Sequence, residues 1–245
     1  MGSGVLCGGG RSALRDLLSR ALWQSVESAL AGKRIMDEKW MIDGLAYFYK
    51  GAGPVFMGIK PAAYLTVRTA AVCPESVLEP LKYFSVPCAN GVRYFIYDQE
   101  LMAKQLKLAD RAHILRMFDY PVPVTAAVYD AMVRPDLTGM AVSAAWMQPC
   151  LFRLYSRLCQ YAQRGERKNF PHELGIFLGY PTEDVIGFLL NGGRAGKEGR
   201  FFKMYANPVW GAQLQDLWEK AGMVLWNAIQ AGMMPDEAAQ YYRNI

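Results

Sequence analysis

The chain has 245 residues and a mass of 27.5 kDa, enough to enclose a sizeable hydrophobic core. Hydrophobic residues make up 52% and charged residues 20%, which excludes an intrinsically disordered protein. The net charge is +5, and the densest basic stretch, residues 164–168, also contains a glutamate. Such an unclustered excess is compatible with an anionic ligand, but it is not the basic face of a nucleic-acid-binding protein.

The cysteine content favours a reducing compartment. Five cysteines are scattered along the chain, none forms a C-x-x-C pair, and with only two histidines no zinc spacing occurs. Because a disulfide scaffold is also unusual at this length, we expect reduced thiols in a cytoplasmic protein and predict no metal site. The pattern leaves the identity of any cofactor open.

The hydropathy pattern does not suggest a membrane protein or a secreted one. Residues 1–11 contain no apolar segment of the secretory kind and are predicted to form a flexible leader. No window approaches the roughly 18–20 uninterrupted apolar residues of a membrane span. We therefore expect no membrane partner.

The first half of the chain predicts three helices and one clear strand. Apolar residues at three- and four-residue steps predict an amphipathic helix over Ser12–Ala31. A second helix is predicted over Asp37–Tyr49. The segment Gly91–Asp98 follows a turn signal and is predicted to be a strand. Residues Glu100–Met117 are predicted to form a helix that ends before the prolines of Tyr120–Val124.

The second half alternates predicted helices and strands. An amphipathic helix is predicted over Leu151–Gln163, and the apolar run Glu173–Tyr180 is predicted to be a buried strand. Thr182 is predicted to cap the helix that follows. Residues Arg200–Tyr205 are predicted to form another strand, reached through a flexible loop. A long helix after residue 207 and a short one opened by Pro235 complete the chain.

This alternation predicts an α/β fold, in which helices pack on a small mixed sheet and extra helices lie at the N- and C-terminal ends. No internal repeat and no linker interrupts the pattern. We therefore predict one domain over residues 12–245.

The strongest candidate for chemistry is His172, at the entrance of the predicted strand 173–180. A histidine there can serve as a general base or a metal ligand, or it can cap the strand by bonding a backbone carbonyl. Its neighbour Glu173 would point to the opposite face of a strand, so the two cannot form a dyad. Lys60 is a second candidate, because in its apolar surroundings a lysine must reach solvent, pair with an acid or bind a ligand.

The segment Phe170–Phe188 reads FPHELGIFLGYPTEDVIGF. It resembles the best-marked part of a family of uncharacterised bacterial proteins, a domain of unknown function common in anaerobes. The family pattern there is Phe-Pro-His-Glu-(Ile/Leu)-Gly, then two apolar residues with Leu-Gly-Tyr-Pro, then Glu-Asp-Val-x-Gly-Phe. Gly53–Ala62 and Phe202–Pro208 are similar to the first and last segments of the pattern. The resemblance covers roughly residues 50–223 and implies a fold rather than a reaction.

One departure from the family pattern concerns catalysis. Where the pattern has His-Cys before Ala-Pro, this chain has Gly51-Ala52 before Gly53-Pro54. If the cysteine and the histidine matching His172 form a thiol site in relatives, the nucleophile is missing here. An alanine can neither attack a substrate nor transfer a proton.

These observations favour a non-catalytic α/β protein that binds a small ligand or a partner. The residues predicted to line its pocket are Lys60, His172, Glu173 and Tyr180.

Two alternatives stay open. The first is a hydrolase or transferase in which His172 acts as general base and either Cys88 or Cys159 is recruited as nucleophile. The second is a protein that docks on a partner through its apolar C-terminal helix. The residues of that helical region concerned are Trp210, Trp218, Met223, Trp226, Met233 and Met234.

Overall fold

The computed structural model describes residues 38–67, 78, 81–89, 91–123, 146–164 and 170–243. The leader and the helix predicted over residues 12–31 lie outside the described residues. Within them the chain forms eight helices and three strands. In chain order these are α1 (Glu38–Phe56), β1 (Ala62–Val67), β2 (Lys82–Cys88), β3 (Gly91–Tyr97), α2 (Gln99–Leu106), α3 (Ala109–Met117), α4 (Met147–Arg164), α5 (Leu174–Phe177), α6 (Thr182–Leu190), α7 (Pro208–Gln230) and α8 (Pro235–Arg243).

The sheet has the strand order β1-β3-β2, with β3 in the centre. Both described strand pairs are antiparallel. The connection between β2 and β3 is too short for a crossover, so these two strands must run in opposite directions. The predicted fold class, a small sheet that carries helices, is confirmed, although the sheet is antiparallel rather than mixed. The prediction of one domain over residues 12–245 stays a prediction.

Helices cover both faces of the sheet, because successive side chains of a strand point to opposite sides. Leu65 of β1 and Ile96 of β3 belong to a core formed with α1, α7 and α8. Ala62 and Phe95 face the other way, into a core shared with helices α2 to α6. The sheet therefore separates two hydrophobic layers, and the segment between α1 and β1 passes from one to the other.

Helix α1 packs closely against α7. A Cβ atom on Gly53 would lie only 2.6 Å from Gly222 Cα, so the absence of a side chain at Gly53 allows the two backbones to approach. Trp218 and Trp226 of α7 are almost completely buried, whereas Trp210 and Met223 are about half exposed. Most of the apolar surface of the C-terminal helix thus serves the core rather than a free face.

The structure corrects the strand predicted over residues 173–180. Residues 174–177 form the short helix α5, whose four side chains are buried. The helix ends where Tyr180 N–H donates to Gly175 C=O at 2.9 Å and Gly179 adopts a φ of +79°. A short apolar run has the same composition in a buried strand and in a buried helix, so the sequence pattern alone did not separate the two.

Two further predictions nearby are also wrong. Residues 200–205 do not form a regular strand: Lys197 and Met204 make one isolated antiparallel bridge within a turn-rich segment. Thr182 does not cap helix α6 but is its first residue, and its hydroxyl donates a hydrogen bond to the Asp110 carboxylate instead. The hydroxyl found a tertiary partner, which local capping rules do not anticipate.

Candidate functional site

A cavity of about 290 Å³ lies between β1, the helices α5 and α6, and residues 201–203. Its described lining is mainly aromatic and aliphatic, with a few polar groups, as is typical of small-molecule sites. The lining residues are Tyr64, Phe170, His172, Leu174, Gly175, Leu178, Tyr180, Asp184, Val185, Phe188, Phe201, Phe202 and Lys203. The segment singled out by sequence, residues 170–188, supplies most of this surface.

Helix α5 is held in place by Arg111, a residue that sequence reasoning missed. Arg111 is only 8% exposed, and its guanidinium donates to the carbonyl oxygens of Ile176 at 3.0 Å and Tyr180 at 3.1 Å. These carbonyls lie at the end of a helix, where they have no partners within the helix itself. In the sequence, the position of Arg111 next to Ala112, an inward-facing residue of α3, was the sign that this arginine could be buried.

The Gly-Tyr-Pro corner brings the two family-like segments together. Gly179 has a positive φ, and a Cβ there would lie 2.6 Å from Pro61 Cδ. Only a glycine satisfies both conditions without strain. The contact places Tyr180 beside Lys60, which precedes Pro61 in the chain.

His172 lies on the cavity wall. Its ring packs between Phe170 and Phe188, with centroid distances of 5.3 Å and 4.8 Å. No hydrogen bond to its ring nitrogens is formed within the part of the chain that the structure describes. Burial lowers the pKa of His172 below 6.5, because desolvation disfavours the charged form. The imidazole is therefore neutral near pH 7 and offers one donor and one acceptor.

Lys60 is 3% exposed and lies behind the cavity wall rather than on it. Its ammonium nitrogen lies 4.5, 5.0 and 5.5 Å from the ring centroids of Trp218, Phe201 and Tyr180, which we call the lysine cage. No carboxylate or hydrogen-bond acceptor of the described residues contacts it. Burial lowers the pKa of Lys60 to about 7.

Glu173 points away from the cavity. Its side chain is fully buried, with Arg157 Nε 2.5 Å from Oε1 and the Tyr120 hydroxyl donating to Oε1 at 3.0 Å. A buried carboxylate requires such partners, since an unpaired charge in the interior is very costly. The structure therefore places Glu173 in a buried ion pair beneath α5, apart from His172, Tyr180 and Lys60.

Tyr64 is a cavity residue that sequence reasoning missed. Its hydroxyl is buried and makes no well-formed hydrogen bond within the described residues. Burial raises the pKa of Tyr64 to about 12, an effect that the nearby Arg93 guanidinium partly offsets. The alternation of β1 indicated only that Tyr64 faces one side of the sheet.

Asp184 and Lys203 also line the cavity, and both side chains are held by neighbouring groups. Asp184 Oδ1 accepts from the backbone N–H groups of Tyr205 at 2.6 Å and Ala206 at 3.0 Å. Lys203 Nζ lies 2.7 Å from the Glu198 carboxylate and donates to the Gly193 carbonyl at 2.9 Å. These contacts hold residues 201–206 against α6, so Asp184 positions this part of the wall.

None of the described cysteines lines the cavity. The Cys88 thiol donates to the Gly91 carbonyl at 3.3 Å, and burial raises the pKa of Cys150 to about 12. Ala52, where the family pattern has cysteine, is fully buried in the core between α1 and α7. A thiol at position 52 would therefore lie in that core rather than beside His172.

Metal-binding clusters and membrane-spanning helices are both absent from the described residues. Across the described ranges, no group of three or more histidine, cysteine and acidic side chains is arranged to hold a metal ion. Among the described helices, none combines the length and apolar character needed to cross a bilayer.

Comparison with known proteins places the chain in a family without assigning an activity. No curated protein and no solved structure matches it. A family described as "Protein of unknown function (DUF3793)" matches residues 49–238. The match includes both segments that meet at Pro61 and Gly179, and it continues past the expected limit near residue 223 through helix α7. The chain therefore belongs to the DUF3793 family of proteins of unknown function.

Proposed function

We propose that the cavity beside His172 binds a small, largely apolar ring compound without covalent catalysis. The observation that supports this most directly is a cavity of about 290 Å³ whose wall carries a neutral, unpaired imidazole among aromatic rings. We further propose that the protein is bacterial and acts in the cytoplasm, where scattered cysteines stay reduced.

The volume and lining restrict the size and polarity of the ligand. A protein cavity of about 150 Å³ lined by apolar side chains is known to accept benzene. A volume of about 290 Å³ therefore has room for a substituted ring or two fused rings. The rings of Phe170, Phe188 and Phe202 favour stacked or edge-on contacts with such a ligand.

The polar groups on the wall restrict the charge of the ligand. The Lys203 ammonium is paired with the Glu198 carboxylate, and Asp184 Oδ1 already accepts two backbone N–H bonds, so both side chains are engaged by the protein. His172 and the Tyr64 hydroxyl remain as hydrogen-bonding groups. These two suit a neutral ligand that carries one or two polar atoms, such as a hydroxyl or a carbonyl oxygen.

Thermal unfolding and calorimetry with benzyl alcohol and indole test the proposal. A ligand that binds only the folded state at 100 times its Kd stabilises it by about 2.7 kcal/mol, so the melting temperature should rise. Val185→Phe should reduce the rise, because a larger side chain at Val185 fills the cavity. His172→Gln should weaken binding, whereas His113→Gln should not, since His113 is exposed on α3 and does not line the cavity.

The proposal is contradicted if neither ring compound raises the melting temperature. It is also contradicted if both compounds raise the melting temperature of the folded Val185→Phe variant as much as that of the unmodified protein. Glycerol serves as a polar control for non-specific stabilisation by a co-solute.

A further inference from the structure

We propose that Lys60 is a covalent attachment point for carbonyl ligands, and that its amine condenses reversibly with an aldehyde or ketone held in the cavity. The inference rests on the proposed binding function, which it narrows to carbonyl compounds as the ligand class. The attachment does not require the missing thiol of position 52, nor does it make His172 a general base.

Lys60 lies next to the cavity and shares part of its aromatic wall. Two of the three rings in the lysine cage, Tyr180 and Phe201, are also part of the cavity wall. The same two rings therefore border both the Lys60 amine and the cavity, and the proposed route to Lys60 is opened by movement of the Phe201 ring.

The Lys60 amine must also be unprotonated to react with a carbonyl group. A lysine that is 3% exposed, with no carboxylate among the described residues to pair with it, retains its proton only at a cost. Its pKa of about 7 leaves about half of the amine as free base at neutral pH. Amines desolvated in hydrophobic pockets are the kind that form Schiff bases with carbonyl substrates.

A ligand in the cavity must also be able to reach the Lys60 amine. Phe201 is half-buried and belongs to the irregular segment between Lys197 and Met204, the two residues of the isolated bridge. Its backbone N–H is held by Gln215 Oε1 at 2.8 Å, so the ring can rotate about its own side-chain torsions without displacing the chain. Rotamer changes of exposed side chains take picoseconds to nanoseconds, and the half-buried Phe201 ring, which packs against Trp218, is expected to turn more slowly than that.

Trp218 is the ring nearest to Lys60. Trp218 is 1% exposed, and its indole N–H has no acceptor within the described residues. Buried N–H groups are nearly always paired. In the proposed reaction the carbonyl oxygen of the ligand is a candidate acceptor for this donor until it leaves as water.

The chemistry is balanced without a further reactant. The lone pair of the neutral Lys60 amine attacks the carbonyl carbon, a C–N bond forms, and a proton moves from nitrogen to oxygen to give a carbinolamine. The hydroxyl then takes a proton from solvent, the C–O bond breaks and water leaves, and the resulting iminium can return that proton to solvent to give the neutral imine. Water reverses the sequence, so the attachment is an equilibrium that a hydride donor can trap.

The experiment treats the full chain at pH 7 with benzaldehyde and sodium cyanoborohydride and maps the benzylated lysines by peptide mass spectrometry. An ordinary lysine with a pKa near 10.4 is free base in roughly one part in 2,500 at pH 7, against about half for Lys60. The burial of the Lys60 amine and its lower basicity both reduce its reactivity. The ratio of labelling rates should therefore be smaller than the ratio of free-base fractions. We expect Lys60 to be labelled at least about tenfold faster than the exposed Lys82, and benzyl alcohol to slow the labelling of Lys60 alone.

Two further arms separate the possible outcomes. Phe201→Ala should speed the labelling of Lys60, and an unchanged or slower rate would overturn the proposed access route. If Lys60 stays unlabelled while benzyl alcohol still raises the melting temperature, covalent attachment is wrong and the cavity still binds ligands. If neither benzyl alcohol nor indole raises the melting temperature, the proposed function itself fails.

Discussion

Gly179 and Pro61 are packed so closely that a methyl group on Gly179 would come within 2.6 Å of Pro61 Cδ. These residues come from two separate segments, the corner after α5 and the link between α1 and β1. Their contact sets Tyr180 against Lys60, and through the rings of Tyr180 and Phe201 it joins a buried amine to the wall of the cavity. The architecture of the site therefore depends on a glycine that carries no functional group.

Gly179→Ala is expected to destabilise the fold by about 2–4 kcal/mol, because it combines a positive φ with overpacking against Pro61. Gly232→Ala is the matched control. Gly232 also has a positive φ, of +94°, but a Cβ there meets nothing within 4 Å, so we expect a loss of only about 1–2 kcal/mol. Urea unfolding measures both variants, and equal losses would show that the Pro61 contact contributes nothing.

Glu173→Gln is expected to cost about 1–3 kcal/mol of unfolding free energy, since it removes the charge that pairs with the partly buried Arg157. Asp119→Asn breaks the exposed pair with Arg153, where Asp119 is 87% exposed, and should cost less than about 1 kcal/mol. Chemical denaturation compares the two. A Glu173→Gln variant as stable as Asp119→Asn would mean that the buried ion pair does not anchor α5.

Lys60 should make stability depend on alkaline pH. Its pKa is about 7 in the folded protein and 10.5 when unfolded, so between these values the unfolded chain binds more protons. Stability then rises as pH increases from about 7 towards 10.5, by up to about 1.4 kcal/mol per pH unit. The difference between the native protein and Lys60→Met in urea unfolding at pH 7, 8 and 9 isolates this effect. Parallel pH profiles would contradict a desolvated amine.

His172 should titrate below pH 6.5, because burial disfavours its charged form. The sign for stability follows: the contribution of the neutral ring is present above the unfolded value of about 6.5 and is lost as pH falls through the lower folded value. With only two histidines in the chain, NMR resonances can be assigned by comparison with His172→Gln. A titration midpoint at or above 6.5 would indicate a solvated ring outside the apolar wall.

Local patterns in the sequence determined the parts of the fold that depend on neighbouring residues. The strand that became β3 and the long helix α7 follow from β-branched residues after a turn and from regular apolar spacing. The motif of residues 170–188 marked the segment that supplies most of the cavity, and the family match supports that resemblance coarsely. Apolar periodicity and residue composition were sufficient to predict these elements, because both depend on residues that are close together in the sequence.

The tertiary structure decided which side chains face one another. The mainly apolar run of residues 173–180 is compatible with either a buried strand or a short helix. In the structure it contains a short helix, and Arg111 donates hydrogen bonds to the carbonyl oxygens of Ile176 and Tyr180 at the end of that helix. Glu173 and His172 are adjacent in sequence, yet one enters a buried ion pair and the other borders a cavity. These partners lie between 16 and 69 residues apart along the chain, so burial and charge pairing between separate segments, rather than local propensity, select the arrangement.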